Sequence, residues 1–366
     1  MISSGFPKLQ KDYYKVYVRS NTYNQASYIE DCLNGVALQK TDFPFVHHVI
    51  DDCSTDGEQE VIKTYLNNNC DMENAEYYDN DICSIIIAKN KSNPNCTLVV
   101  YFLKRNMYRN PEKRNLYKAW QDVCTYEAIC EGDDYWIVKD KLQKQISFLD
   151  AHQDYAMCHT SYNTYHEKDK IISQSRDVLD NVGEKCKDNR YILKGYRLLT
   201  LTVVVRTEVL KQAKQKDPFL FSGYFLMGDT NLWYEVSTFG KIFFMPDVTA
   251  MYRKNEGSVS RCADPAKMYK FRLSSAEMRL YISKRDNIGD DWIKYFQSLF
   301  DKTLYDYRCF DPTYQSKLYD YHIQPNFLKS LLLKIGIMKL YLSVKFVVNR
   351  KIATLYRRLF KPQYTF

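Results

Sequence analysis

Apolar runs of four to eight residues alternate with polar loops and amphipathic stretches along the first two thirds of the chain, the pattern of strands that feed helices. Val16, Tyr17 and Val18 form a β-prone run, which the polar segment SNTYNQ (residues 20–25) ends. In residues 27–39, Ile29, Leu33, Val36 and Ala37 recur at helical spacing. Ser27 stands in the N-cap position with Glu30 three residues on, so a helix with a capping box is expected. A second apolar run, FVHHVI (45–50), enters the turn formers DDCSTDG (51–57), and the helical EQEVIKTYL follows. Two strand–loop–helix units predict a parallel sheet with helices on its faces, joined by right-handed crossovers. Ligands of such sheets sit at the carboxyl ends of the strands, which makes SNTYNQ and DDCSTDG the first candidates for a binding crevice.

Residues 67–95 are rich in Asn and Asp and read as an insertion with one internal strand, CSIIIA (83–88). TLVVYFL (97–103) is a strand or a helix start, since a short apolar run does not distinguish the two. TYEAIC (125–130) ends in EGDDYW, and Asp140 can cap a helix carrying Leu142, Ile146 and Leu149. LTVVV (201–205), MGDTNLW (227–233), KIFFMP (241–246) and MYRKNEGSVSR (251–261) come next, and residues 264–327 read as amphipathic helix.

Composition removes several functions. With 45% hydrophobic and 26% charged residues in 366, the chain is globular rather than disordered. Its 12 glycines form no GxG and no GxxxxGK[ST], which excludes a dinucleotide fingerprint and a P-loop, and its six histidines contain no HExxH. Eleven cysteines without a CxxC read as reduced core thiols, and residues 1–15 hold no apolar signal segment, so a cytoplasmic location is expected. The net charge of +8 is a tail property. Residues 321–366 carry nine Lys or Arg and no acid, leaving 43 basic and 44 acidic residues before them, a balance that argues against a nucleic-acid-binding body.

Glu131, Asp133 and Asp134 crowd one turn after an apolar run and would repel one another unless they shared a cation. Hard oxygen donors suit Mg²⁺ or Mn²⁺, whose shell substrate phosphates complete. A solvated acidic turn is the alternative. Asp51 and Asp52 also end a strand, where a carboxylate could accept a hydrogen bond from a nucleobase; the alternative is an Asx turn with a helix cap. His47 and His48 point to opposite faces of their strand, which favours packing over a metal or acid–base pair.

Taken in order, SNTYNQASYIEDCLNGVALQ, FVHHVIDDCSTDG, ICEGDDYWIVKDKLQKQISFL and FLMGDTNLWYEVSTFGKIFFMPDVTAMYRKNEGSVS resemble the family 2 glycosyltransferases of bacterial surface and capsular polysaccharide synthesis, over about residues 13 to 261. The resemblance implies a GT-A fold: an α/β architecture with a mixed, mainly parallel sheet flanked by helices, here with a C-terminal helical extension. It implies that Thr22, Tyr23, Asn24, Asp51 and Asp52 hold the nucleotide, with Arg114 a looser match. Glu131, Asp133 and Asp134 stand at the metal motif, and Asp133, Arg253 and Ser258 at the donor diphosphate and sugar. Asp229 matches the catalytic base. An inverting, metal-assisted transfer from a nucleotide-sugar, with uridine diphosphate the family's commonest carrier, to a glycan or lipid-linked hydroxyl follows. Arg19 in a normally apolar strand and Asn21 in place of a proline depart from the family pattern. A frayed or shielded first strand would accommodate them. A nucleotidyltransferase would bring a Gly/Lys-rich phosphate loop that is missing, and a catalytically silent scaffold on the same fold is the other alternative.

The tail, LLLKIGIMKLYLSVKFVV (331–348), is interrupted by three lysines, which argues against a membrane span. Leu333, Ile337, Leu340, Val344 and Val347 form an apolar stripe beside Lys334, Lys339 and Lys345. A basic amphipathic helix of this kind lies on an anionic membrane surface, here the inner face of the cell membrane, or packs on the catalytic domain or a second subunit. Three domains are therefore expected: residues 1–263 for transfer, 264–326 helical, and 327–366 as the membrane-associated tail.

Overall fold

A computed structural model describes residues 2–11, 13–174, 182–195, 198–255, 264–319 and 337–360. The described chain falls into two compact units. The first comprises residues 1–165, 174–217 and 232–253; the second comprises 166–173, 218–231 and 254–366. The division at residue 253 lies ten residues before the boundary read from the sequence. Two segments from inside the expected transfer domain also join the second unit.

Strands β1 (Ile2–Ser4), β2 (Val16–Thr22), β3 (Phe45–Asp51), β4 (Glu76–Asp79), β5 (Cys83–Lys89), β6 (Cys96–Leu103), β7 (Tyr126–Ile129), β8 (Tyr135–Trp136), β9 (Tyr155–His166), β11 (Val203–Arg206) and β12 (Lys241–Lys254) build the sheet of the first unit. A further strand, β10, spans Ile171–Gln174. The sheet order is β1-β4-β5-β6-β3-β2-β7-β11-β9-β12-β8. Its centre, β6-β3-β2-β7, is parallel, while β5 against β6 and β11 against both β7 and β9 are antiparallel. The sheet is thus mixed, with parallel pairing where the crevice was expected. Every residue of β3 and β6 is buried, as in strands covered on both faces.

The two faces sort by alternation. Val16, Val18, Phe45, Val49, Leu98 and Val100 face a core that includes Ile29, Ile62 and Leu142, from helices α1 (Ile29–Ala37), α2 (Glu58–Asn69) and α4 (Lys141–Ala151). Tyr17, Val46, Ile50, Val99 and Tyr101 face Leu116 and Trp120 of α3 (Asn115–Val123). Helix α1 buries Ile29, Cys32, Leu33 and Val36, one stripe at helical spacing, but its N-cap is Tyr28 and no side chain caps it. The capping box expected from Ser27 and Glu30 does not form. Gly35 is required because a Cβ there would lie 2.7 Å from the Trp136 backbone N and O.

The segment 67–95 supplies an antiparallel hairpin, β4 and β5, at one side of the sheet rather than a single strand. His47 and His48 are buried, bonded to Ser20 Oγ (2.8 Å) and Tyr17 Oη (2.9 Å), and burial holds His48 well below the usual imidazole range. The ten described cysteines are free thiols, nine of them buried.

Past the short helices α5 (Val182–Lys185), α6 (Asn189–Lys194) and α7 (Thr207–Lys216), helix α8 (Asp229–Ser237) starts in the second unit. That unit is built mainly on α9 (Pro265–Arg285), α10 (Asp290–Arg308) and α11 (Ile337–Phe360). Asp264 caps α9 by accepting from Ala266 N at 2.8 Å, with Pro265 at the first helical position. Phe219 and Phe225 pack on the Tyr281 ring, and Leu226 N donates to Ser274 Oγ at 2.9 Å. Among the described residues no helix is long and apolar enough to cross a membrane.

Candidate active site

Four parallel strands end side by side, and the loops that leave them are bonded to one another. Asn24 takes a left-handed conformation after β2, with φ of 53°, and Cys53 does so after β3, with φ of 62°. These turns bring the two loops together. Asn24 N donates to Ser54 Oγ (2.9 Å), Thr55 N to Asn24 Oδ1 (2.8 Å), and Ala26 N to Asp56 Oδ2 (2.9 Å). Glu58, the first residue of α2, accepts from Gln25 N at 2.9 Å and from the Thr22 hydroxyl. Burial lifts the Glu58 carboxyl above its ordinary value against the pull of these donors. Thr22 is therefore buried within the clamp, while Tyr23 and Asn24 stand exposed at the rim.

Asp51 and Asp52 both lie inside this framework. The Asp51 carboxylate accepts from Ser54 N at 3.3 Å and from Gln59 Nε2 at 2.6 Å, within its own loop and the first turn of α2. Asp52 accepts from Met107 N at 2.6 Å and from Lys113 Nζ at 2.8 Å, so it fastens the loop after β6 and the turn Pro111–Arg114 to the β3 end. Arg114, the matched residue, is exposed next to that pairing. Lys113 was not singled out from sequence, because one lysine in PEKR gives no sign of which carboxylate it reaches.

The turn after β7 fits against the β2 loop. Gly132 N donates to Asn21 O at 3.1 Å, and a Cβ on Gly132 would lie 2.7 Å from Thr22 Cβ and closer still to Thr22 Oγ1 and Gln25 Oε1. Only glycine allows this approach. The three acids around it diverge. Glu131 accepts from Asn21 N at 3.3 Å, and Asp134 is 3% exposed and accepts from Arg253 N at 2.8 Å. Burial, with the charges of Asp133 and Glu131 added, holds the Asp134 carboxyl well above the usual range. Asp133, like Glu131, is half-buried. Among the described residues no three His, Cys, Asp or Glu side chains gather to hold a metal ion. Glu131 and Asp134 accept from backbone amides of different segments, so successive residues of the turn send their side chains different ways. The donor set still fits Mg²⁺ or Mn²⁺ through Asp133, since such ions keep most of their shell for diphosphate oxygens and water.

Arg253, expected at the diphosphate, is only 5% exposed. Its guanidinium lies over the rings of Tyr28, Tyr135 and Tyr165, at 4.9, 5.2 and 5.3 Å, pairs with Asp31 of α1, and donates from Nε to Asp133 O at 3.0 Å. It braces the acidic turn from behind. Ser258 lies outside the described residues. Asp229 is exposed at the start of α8, in the second unit.

Arg19 does not fray β2, which pairs through it with β3 and β7, and Leu9 and Tyr14 from the N-terminal residues pack on the cluster that holds Tyr17. Arg19 pairs with the buried Glu127 on β7 (Nε to Oε1, 3.2 Å) and stacks over Tyr117 at 5.0 Å. Burial costs the Arg19 charge, but Glu127 and Glu131 outweigh that cost and hold its pKa above its ordinary value. Gln121 Nε2 donates to the other Glu127 oxygen at 2.5 Å.

Residues 21–91, the span from the end of β2 through the β4–β5 hairpin, match the family model described as "Glycosyl transferase family 2". This stretch is thus similar to family 2 glycosyltransferases. This segment holds Thr22, Asn24, Asp51, Asp52 and Glu58, the whole clamp between the first two loops. An uncharacterized protein of Mycobacterium tuberculosis (strain ATCC 25618 / H37Rv) is 30% identical over 144 residues, 38% of this chain and 32% of that protein. The putative teichuronic acid biosynthesis glycosyltransferase TuaG of Bacillus subtilis (strain 168) is 28% identical over 134 residues, 37% of this chain and 41% of that one. The matches span between about a third and two fifths of the relatives' length. Among solved structures, Staphylococcus aureus TarS 1–349 in complex with UDP aligns with 19% identity and a TM-score of 0.48, covering 83% of this chain and 76% of that one. The mannosyltransferase PcManGT from Pyrobaculum calidifontis, in complex with GDP-Man and Mn²⁺, aligns with 14% identity and a TM-score of 0.49, covering 96% and 89%.

Proposed function

We propose that this protein moves a sugar from a nucleotide-sugar, a uridine diphosphate sugar on this reading, to a hydroxyl of a glycan or lipid-linked acceptor in bacterial surface polysaccharide synthesis. The observation that carries the reading is the clamp of the β2 and β3 loops within the stretch similar to family 2 glycosyltransferases, with Gly132 drawing the Asp133 turn against it. Tyr23 and Asn24 at the rim would lie against the base and ribose. Asp51 and Asp52 keep lone pairs beyond their internal bonds, and either could accept from the base edge. Asp133 would hold Mg²⁺ or Mn²⁺. When bound, the ion would neutralise charge on the departing diphosphate.

Asp229 would take the proton from the acceptor hydroxyl, leaving an alkoxide-like oxygen to attack the anomeric carbon with inversion. This role rests on the GD pair ahead of a helix. General-base help is worth ~10²–10⁴-fold, so Asp229→Asn should lower turnover by that factor and leave nucleotide binding intact. Near-normal turnover would remove Asp229 from the reaction.

Thermal unfolding against UDP, GDP, CDP and dTDP, each with and without Mn²⁺, tests the donor site. A nucleotide at ~100 times its dissociation constant adds ~2.7 kcal/mol of stability. One diphosphate stabilising only with Mn²⁺ would support the reading, and no shift with any of them would favour a silent scaffold.

A further inference from the structure

Helix α11 turns the wrong side outward for a helix that only packs on its own unit. Leu342 and Phe346 are buried, 4% and 8% exposed. Ile337, Leu340, Tyr341, Val344, Val347 and Val348 recur at three- and four-residue spacing on another side, each between 43% and 65% exposed. Four of the five stripe positions read from sequence are in this exposed set, and Leu333 lies outside the described residues. Packing within the second unit therefore does not account for the stripe. Lys339, Lys345 and Lys351 are exposed on the same helix, and residues 321–366 contain no acid.

Beside the stripe, α9, α10 and α11 border an open cavity of about 380 Å³. Arg272, Lys302 and Lys345 line it around one carboxyl, Asp306, with Tyr269 and Tyr341 among the other walls. Arg272 is stacked over the Tyr269 ring at 5.1 Å, and Lys345 over Tyr341 at 5.6 Å. Burial lifts the Asp306 carboxyl above its ordinary value, against the pull of Lys302, Lys345 and Arg272. Lys345 and Tyr341 thus belong to both the cavity and the helix that carries the stripe. An apolar face next to a cation-lined cavity matches an acyl layer topped by phosphodiester headgroups.

We infer that α11 docks flat on an anionic lipid surface, with its exposed aliphatic stripe among the acyl chains and the Arg272–Lys302–Lys345 cavity receiving a lipid phosphate. Charge complementarity selects this occupant over a second copy of the chain, since two such helices would bring their lysines together. The docking does not depend on the glycosyltransferase reading.

Flotation of the full chain with vesicles of equal parts phosphatidylglycerol and phosphatidylcholine, against phosphatidylcholine alone, tests it. The expected result is binding to the anionic vesicles only, weakened by salt. Leu340→Glu with Val344→Glu should abolish it while leaving the unfolding temperature unchanged, because both residues are exposed. Arg272→Gln and Lys302→Gln should each lower the partition coefficient about fivefold, the worth of one basic charge near such a surface. Equal binding to both vesicle types would overturn the phosphate cavity. Absence of flotation would overturn the docking, whether the protein is monomeric or forms a dimer that Leu340→Glu with Val344→Glu dissociates.

Discussion

Two turns in this protein place adjacent aspartates at the end of a parallel strand, and they use them differently. After β3, Asp51 and Asp52 are both buried, Asp51 holding Ser54 N of its own loop and Gln59 of α2, Asp52 holding Met107 N and Lys113 from the segment after β6. After β7, Asp134 turns inward to Arg253 N, while Asp133 stays half-exposed with its carbonyl held by the Arg253 guanidinium. The first pair fastens its surroundings. The second divides into one residue that anchors the turn and one that is presented by it. Acidic pairs that look alike in sequence therefore carry separate tasks, decided by which donors each side chain meets.

The sharpest way to break this comparison is at Asp133. Asp133→Asn should remove Mn²⁺-dependent nucleotide binding and lower turnover by ~10³-fold, the several kcal/mol that a metal clamp supplies. Gly132→Ala comes next. The added methyl collides with Thr22 and Gln25, so a stability loss of ~1–3 kcal/mol in urea unfolding and weakened nucleotide binding are expected. Lys113→Met probes the first turn, where it strips one partner from the buried Asp52 and should cost ~1–3 kcal/mol. Unchanged stability would mean that the Asp52 pair does not fasten the loops.

The smallest effect concerns the wall behind the second turn. Lys141 lies buried over the Trp136 ring at 4.4 Å and donates to Gln145 Oε1 at 2.6 Å, and burial pushes its ammonium pKa from 10.5 down to about 7. Between those values the unfolded chain binds a proton that the folded protein does not, so folding stability gains with rising pH through that window. Below it both states are protonated and the gain is absent. Lys141→Met should flatten this slope in urea unfolding followed from about pH 7 to about pH 10, with nucleotide binding unchanged. An unchanged slope would show that Lys141 keeps its charge when folded.

The strand–loop–helix order of the first 66 residues, the strand ending in EGDD and the long helices after residue 264 were legible because hydrophobic period and turn chemistry agree there. The β4–β5 hairpin was half legible. Its first strand, EYYD, lies at intermediate or full exposure and has no apolar run to mark it. Arg19 read as a defect because its partner, Glu127, lies 108 positions away on a strand placed beside it only by the fold. Arg253 was matched to a diphosphate by its neighbours in sequence, whereas three tyrosines from distant segments enclose it. The divergence of Glu131, Asp133 and Asp134 was hidden for the same reason, since spacing places carboxylates in one turn without saying which amides they meet.

The central claim is that Asp133 alone of the three acids serves the metal. Calorimetric titration of UDP with and without Mn²⁺ into Glu131→Gln, Asp133→Asn and Asp134→Asn, each first shown to unfold cooperatively, tests it most directly. The account predicts that only Asp133→Asn loses the Mn²⁺ dependence. Equal loss in Asp134→Asn or Glu131→Gln would contradict it and restore a shared carboxylate site.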